Sequence, residues 1–340
     1  MAPTAPTDRL ARPLRDLRIS VTDRCNFRCP YCMPAEVFGD KHVFLAKDQL
    51  LSFEEIARLA RAFAALGVRK VRITGGEPLL RRDLPELVRQ IAAIDGIDDI
   101  ALTTNGVQLP EHAHALADAG LDRVTVSLDS LDEPIFRQMA GRDASPAQVL
   151  AGLAAAEAAG LRPIKINCVA VRGLNDHTLV DIARRFRGTG HIVRFIEFMD
   201  VGTLNDWREE QVVPAVEIVR RIDAEFPLEP VESSYRGEVA RRYRYKDGAG
   251  EIGIISSVTA PFCGDCSRVR LTSDGRVLTC LFAATGMSLR DFLRTGASDE
   301  DLAARLREIW TSRGDRYSEL RAENRSAGGS RKLEMYQVGG

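Results

Sequence analysis

No run of about 18 consecutive apolar residues occurs in the 340-residue chain, so a membrane-spanning helix is not expected. Net charge is nearly absent: 47 Lys and Arg against 48 Asp and Glu leave a formal charge of −1. That removes the global basic field by which nucleic acid or an anionic membrane would be held. The opening residues, MAPTAPTDRLARP, lack the apolar stretch of a secretory signal. They read as a disordered leader over residues 1–12. Histidine is scarce, with five in the chain and none after His191. Without an export signal, the seven cysteines suit a reducing cytoplasm, and metal binding rather than disulfides. What is present, 45% hydrophobic and 28% charged residues, is the material of a soluble globular protein with a sizeable core and two domains.

The first two-thirds of the chain repeats one theme, a short apolar strand followed by an amphipathic helix. Strands are expected at 17–23, 68–75, 99–105, 123–129, 163–171 and 192–199, and helices at 53–66, 84–94, 111–119 and 147–159. Ser52, with Glu55 three residues on, is a capping box for the first helix. Such alternation indicates a parallel α/β sheet, open or an incomplete barrel, with function carried by loops at the carboxyl ends of the strands. After about residue 230 the pattern changes to short strands at 241–246, 251–256, 269–272 and 276–279, then helices at 289–293 and 301–311. The expected organisation is an α/β core at 13–230, a smaller α+β region at 231–325 appended to it, and a flexible tail at 326–340 ending in Gly-Gly.

Cysteine is concentrated in two sets of three. Cys25, Cys29 and Cys32 form C-x3-C-x2-C directly after the first strand. Thiolates suit zinc or iron–sulfur clusters. A structural zinc site wants four ligands, and His42, ten residues on, is the nearest histidine. Three cysteines on a four-iron cluster would leave one iron open, which is a catalytic feature. Cys263, Cys266 and Cys280 form C-x2-C-x13-C, again without an obvious fourth ligand. Asp265 could complete a zinc site; a second cluster with its own open iron is the sharper reading. Cys168 is left over among apolar neighbours and reads as a buried thiol.

Three core strands carry a cation inside an apolar run: Arg18 in LRIS, Arg72 in VRIT and Lys165 in IKIN. Inward positions of a barrel usually hold branched or small side chains, and a buried unpaired cation costs several kcal/mol. Either these residues pair with nearby carboxylates or they line a polar cavity that an anion neutralises. Arg268 and Arg270, two apart in SRVRLT, point the same way on a strand beside the second triad.

The first triad, with Tyr31 before its last cysteine, resembles the radical S-adenosylmethionine (SAM) superfamily, and ITGGEPLL at 73–80 resembles its GGEP motif. The ordered set LRDLRISVTDRCNFRCPYCMP, VRITGGEPLLR, LTTNG, VSLDSL, IKINCV, RFIEFMDVG, FCGDCSRVRLTSDGRVLTCLF and the terminal GG closely resembles one family within it, the GTP 3′,8-cyclases of molybdenum cofactor biosynthesis. The resemblance spans nearly the whole chain. It implies an incomplete (β/α)6-type, TIM-like barrel whose C-terminal region carries a second cluster. It also implies two 4Fe-4S clusters, one on Cys25, Cys29 and Cys32 that binds SAM, the other on Cys263, Cys266 and Cys280 that meets the guanine of GTP. Tyr31, Gly76, Ser127 and Met199 are implied SAM contacts. Arg18, Arg72, Thr103, Lys165, Arg268, Val269 and Arg270 are implied GTP contacts. Arg268, Arg270, Gly339 and Gly340 are implied to act in catalysis, with the Gly-Gly end reaching back into the active site. The implied reaction takes the hydrogen from ribose C3′ with a 5′-deoxyadenosyl radical and joins C3′ to guanine C8. The implied partners are GTP as substrate, an electron donor and cyclic pyranopterin monophosphate synthase as the next enzyme, with the chain a monomer or homodimer. Two rivals are another radical SAM enzyme with an auxiliary cluster, such as a peptide-modifying one, and a non-catalytic zinc scaffold. Colour separates the last: iron–sulfur protein is brown and zinc protein colourless.

Overall fold

The computed structural model describes residues 5–39, 41–326 and 332–339. Among the described residues twelve strands form one sheet: β1 Asp16–Ser20, β2 Lys70–Thr74, β3 Asp99–Thr104, β4 Arg123–Ser127, β5 Lys165–Ala170, β6 Ile192–Glu197, β7 Leu228–Val231, β8 Arg241–Tyr245, β9 Glu251–Ile255, β10 Arg268–Leu271, β11 Arg276–Leu278 and β12 Met287–Ser288. Their order is β12-β11-β10-β1-β2-β3-β4-β5-β6-β9-β8-β7. The run from β10 through β1–β6 to β9 is parallel throughout. Hairpins close off both ends, β11–β12 beside β10 and β8–β7 beside β9. The six-strand α/β core and the strands near 241, 251, 269 and 276 agree with the sequence reading.

The C-terminal region is not appended to the core as a separate body. It supplies β9 and β10, which pair with β6 and β1 at opposite edges of the six-strand sheet. An open parallel sheet leaves two rows of unpaired backbone groups; strands from the same distal segment satisfy both. Alternation along each strand then divides the faces. Leu17, Ile19, Val71, Ile73, Leu102 and Val124 pack outward beneath the helices with no exposure. Arg18, Arg72, Thr103, Lys165 and Arg270 take the other face.

Both chain ends depart from expectation. The disordered-leader reading fails for residues 8–12. Thr7 bridges Pro13, and Asp8 and Arg12 form a buried ion pair of 2.6 Å. The flexible-tail reading fails for residues 332–339. Lys332 pairs with Asp200 at 2.9 Å, Glu334 accepts from the Thr203 amide at 3.0 Å, and Tyr336 and Val338 are buried. A short helix, Met335–Val338, lies in this tail. Residues 1–4, part of the expected leader, and Gly340 lie outside the described residues.

Glu197, at the end of β6, ties the two parts of the chain together. Its fully buried carboxylate accepts from the amides of Ala215 (2.8 Å), Val258 (2.8 Å) and Thr259 (2.9 Å). Glu197→Ala would strand these three amides and the Thr259 hydroxyl, so a stability loss of roughly 3 kcal/mol or more is expected. Denaturant unfolding of the metal-free protein measures it; Glu197→Gln, which keeps an acceptor, should lose less.

Candidate active site

The first cysteine triad sits on the loop leaving β1 at its carboxyl end. Cys32 and Met33 donate backbone hydrogen bonds to the Cys29 carbonyl at 3.0 and 2.8 Å, which folds the loop into a tight turn. The Arg28 amide is anchored on Ala140 O at 2.8 Å, and its guanidinium holds the Cys25 and Phe27 carbonyls, each at 2.8 Å. The glycine pair after β2 is set by this loop. A Cβ on Gly76 would lie 2.2 Å from the Arg24 carbonyl oxygen, and one on Gly75 would lie 2.8 Å from that of Thr22. Backbone-on-backbone packing therefore requires both glycines. Glu77 then accepts from Thr104 Oγ1 (2.7 Å), the Asn105 amide (2.8 Å) and the Leu79 amide (3.0 Å). Burial still lifts its carboxyl to about 7.

The three thiols open onto a cavity also lined by Tyr31, Gly76, Glu77, Thr103, Thr104, Asn105, Ser127, Asn167, Met199 and Met335. All four residues implied as SAM contacts are therefore on one wall system. Tyr31 donates to Asp129 Oδ2 at 2.7 Å, and Asp129 Oδ1 accepts from the Val169 amide at 2.9 Å, so the ring is fixed in place. Desolvation raises Cys25 to about 12, and desolvation together with neighbouring thiols raises Cys29 and Cys32. Such buried thiols need a cationic centre to become thiolates, which soft metal clusters supply. Among the described residues, no three His, Cys, Asp or Glu side chains stand close enough to grip a single ion.

A second cavity adjoins the first and shares Thr103, Asn167, Ile196, Met199 and Met335 with it. Parallel register sets Arg18 beside both Arg72 and Arg270. Six cations line it: Arg18, Arg72, Lys165, Arg194, Arg268 and Arg270. Lys70, Arg123 and Arg313 also line it, but Lys70 and Arg123 pair with Asp99, at 3.1 and 2.6 Å, and Arg313 with Asp8, at 3.1 Å. Among the described residues none of the six has a carboxylate within ion-pair distance, so the carboxylate-pairing alternative does not hold here. Arg72 instead donates to Thr103 Oγ1 (3.1 Å) and Thr125 Oγ1 (3.0 Å), and Arg194 to Asn167 Oδ1 (2.9 Å). Desolvation first, then mutual repulsion, depresses five of the six: Arg72 to about 9, Arg194 to about 10 and Lys165 to about 8, with Arg18 and Arg270 also lowered.

Arg194 was missed, although RFIEFM shows the same signal as VRIT, a cation inside an apolar strand. Asn105, Asn167 and Met335 were missed as well; Met335 carries no local signal. Val269 does not join the cavity: its side chain is 1% exposed in the outer core, the opposite face from Arg268 and Arg270.

The second triad borders this same cavity. Arg268 Nη2 donates to Cys266 Sγ at 3.2 Å. Burial raises the Cys266 thiol, but Arg268 and Arg313 outweigh it and bring the thiol down to about 6. Arg270 donates to the carbonyls of Val338, at 3.2 Å, and of Gly339, so this segment enters the site.

A parallel α/β sheet extended at both edges by distal strands, with a three-cysteine loop after β1 and a polar cavity on one face, is the architecture of a radical SAM enzyme. Residues 19–186 match the Radical SAM superfamily and residues 191–319 match Molybdenum Cofactor Synthesis C. The chain is 52% identical over 338 residues to the GTP 3′,8-cyclase of Xanthomonas axonopodis pv. citri, covering 99% of this chain and 100% of that one. It is 51% identical to that of Acidothermus cellulolyticus, covering 98% of each. The chain belongs to the GTP 3′,8-cyclase family. Among solved structures, Streptococcus suis SuiB bound to S-adenosylmethionine superposes with a TM-score of 0.58 at 15% identity, covering 86% of this chain and 68% of SuiB. That likeness concerns the fold. Among the described residues no helix is long and apolar enough to cross a membrane.

Proposed function

We propose that the two adjoining cavities are the two halves of one active centre, SAM in the first and GTP in the second. The observation that carries this reading is the shared wall: Thr103, Asn167, Ile196, Met199 and Met335 face both. A radical formed in one chamber would meet a nucleotide in the other without crossing bulk water. In this reading Cys25, Cys29 and Cys32 hold a four-iron cluster that, with SAM, supplies the 5′-deoxyadenosyl radical. Tyr31, Gly76, Ser127 and Met199 line the SAM chamber. Arg18, Arg72, Lys165 and Arg194 take the triphosphate, replacing mutual repulsion by charge-assisted hydrogen bonds. Thr103, held by Arg72, faces the sugar side. Cys263, Cys266 and Cys280 hold the second cluster beside the base, with Arg268 and Arg270 between it and the Gly-Gly end. The nucleotide loses a hydrogen atom at C3′, forms the C3′–C8 bond, and regains an electron and a proton. An electron donor provides the reducing equivalents, and the product passes to cyclic pyranopterin monophosphate synthase.

The test is anaerobically reconstituted protein with GTP, SAM and dithionite. Methionine, 5′-deoxyadenosine and a nucleotide of the same mass as GTP but different retention are expected. SAM cleavage without such a nucleotide would favour a different substrate, and stoichiometric zinc without iron would overturn the reading.

Lys165 offers a second test. Its ammonium is lowered from 10.5 to about 8, by desolvation first and by Arg194, Arg123 and Arg72 next. Between those values the unfolded chain binds more protons, so the free protein should gain stability as pH rises from 8 towards 10. GTP needs the charged form, so affinity should fall above pH 8. At pH 8 binding should draw up to about half a proton onto this residue. Calorimetry in buffers of different ionisation enthalpy measures the uptake, and Lys165→Met should abolish that component.

A further inference from the structure

The segment ahead of β1 ends on the second cysteine triad. Asp8 is its hub. Asp8 Oδ1 accepts from the amides of Leu10 (2.9 Å) and Arg12 (3.0 Å). Asp8 Oδ2 receives Arg12 Nε at 2.6 Å and Arg313 Nη1 at 3.1 Å. Each guanidinium then donates to a cysteine carbonyl: Arg12 Nη1 to Cys263 O, and Arg313 Nη1 to Cys266 O, both at 2.7 Å. The third cysteine is tied in through Asp315. Its carbonyl accepts from Arg12 Nη1 at 2.8 Å, and its carboxylate accepts from Thr279 Oγ1, next to Cys280, at 2.6 Å. Trp310 closes the assembly, donating to Arg12 O at 3.1 Å while the Arg313 guanidinium lies 4.6 Å above its ring. Asp8, Arg12 and Arg313 are 6%, 0% and 4% exposed.

A salt bridge that only anchored the chain terminus would be complete as the Asp8–Arg12 pair. Here one carboxylate holds two guanidiniums in fixed relation, and each reaches the carbonyl of a different cysteine. Charged donors on those carbonyls fix the backbone between Cys263 and Cys266, and with it the separation of their sulfurs. Groups that orient metal ligands in this way commonly alter metal retention 10- to 100-fold.

We propose that Asp8, Arg12 and Arg313 are positioning residues that preorganise the second thiolate site for its cluster, an inference that rests on reading that triad as a cluster site. The test starts from the full chain carrying Cys25→Ala, Cys29→Ala and Cys32→Ala, so that bound iron reports the second site alone. Iron per chain, iron loss to a chelator, and the electron paramagnetic resonance spectrum of the reduced protein with and without GTP are measured. Adding Arg12→Ala should speed iron loss roughly tenfold or more and change the spectrum. Arg12→Lys should fall between, because an ammonium keeps the charge but cannot span Asp8 and two carbonyls at once. Asp8→Asn, which is isosteric, carries the same expectation and serves if Arg12→Ala does not fold. With the first triad intact, Arg12→Ala should retain reductive SAM cleavage. Unchanged iron loss and an unchanged spectrum, with only a lower melting temperature, would overturn the proposal and leave a terminal anchor. Absence of iron in the starting protein, with native Asp8, Arg12 and Arg313, would instead remove the second-cluster reading and this inference with it.

Discussion

Alanine at Cys263, Cys266 and Cys280 is expected to leave an enzyme that still cleaves SAM under reducing conditions but no longer cyclises GTP. The two triads lie on different walls: one on the loop after β1, the other around β10 and β11. The first cavity, proposed to hold SAM, includes none of the second triad's residues, so its chemistry should survive. In the proposed reading the second cavity would lose three thiols at once, and the base its anchor. Misplacement of a reacting atom by an ångström costs about a hundredfold in rate, so at least that loss of product is expected. Iron should fall by half, from about eight to about four per chain. Iron analysis, 5′-deoxyadenosine yield and nucleotide mass and retention read the three effects separately. Retained cyclisation, or loss of SAM cleavage together with product, would contradict the division of labour.

Gly339→Ala should uncouple SAM cleavage from cyclisation while both clusters remain. Gly339 has φ of +72°, a region that disfavours side chains, and its new Cβ would lie 2.3 Å from Thr74 Cγ2. Thr74 ends β2, immediately before the Gly75–Gly76 turn that packs against the cysteine loop. The tail is seated at both halves of the site. Tyr336 packs edge-on against Phe38 beside the first loop, with ring centres 5.0 Å apart, and Val338 packs with Leu278 and Phe282 beside the second. Met335 lines both chambers. Strain of about 1–3 kcal/mol would lower the seated population by roughly 5- to 150-fold. Product should fall by a similar factor, with 5′-deoxyadenosine and iron largely retained. Deleting Gly339 and Gly340 should have the larger effect, since it removes the Gly339 carbonyl that Arg270 holds. Full product rate in the truncated enzyme would show the tail to be a passive terminus.

The sequence by itself determined the strand–helix alternation, the two thiol triads and the unusual cations. These are local properties, set by the two-residue alternation of strands and by residue spacing along one loop. Arg18, Arg72 and Lys165 could be recognised because each interrupts an apolar run, and Arg194 could have been found by the same test. Tertiary structure alone decided what those cations face. It paired β10 with β1 and β9 with β6, so that Arg270 stands beside Arg18 and the C-terminal region became part of the core sheet. Edge pairing depends on backbone groups hundreds of residues apart and leaves no local pattern. The packing of the two ends leaves no local pattern for the same reason. Asp8 and Arg12 look like polar leader residues until Cys263, Arg313 and Asp315 arrive to accept and share their charge. Met335 and Gly339 look like a frayed end until Thr74 and Arg270 surround them. Burial and ion pairing of a polar segment are made by its distant partners, and only the folded chain brings those partners to it.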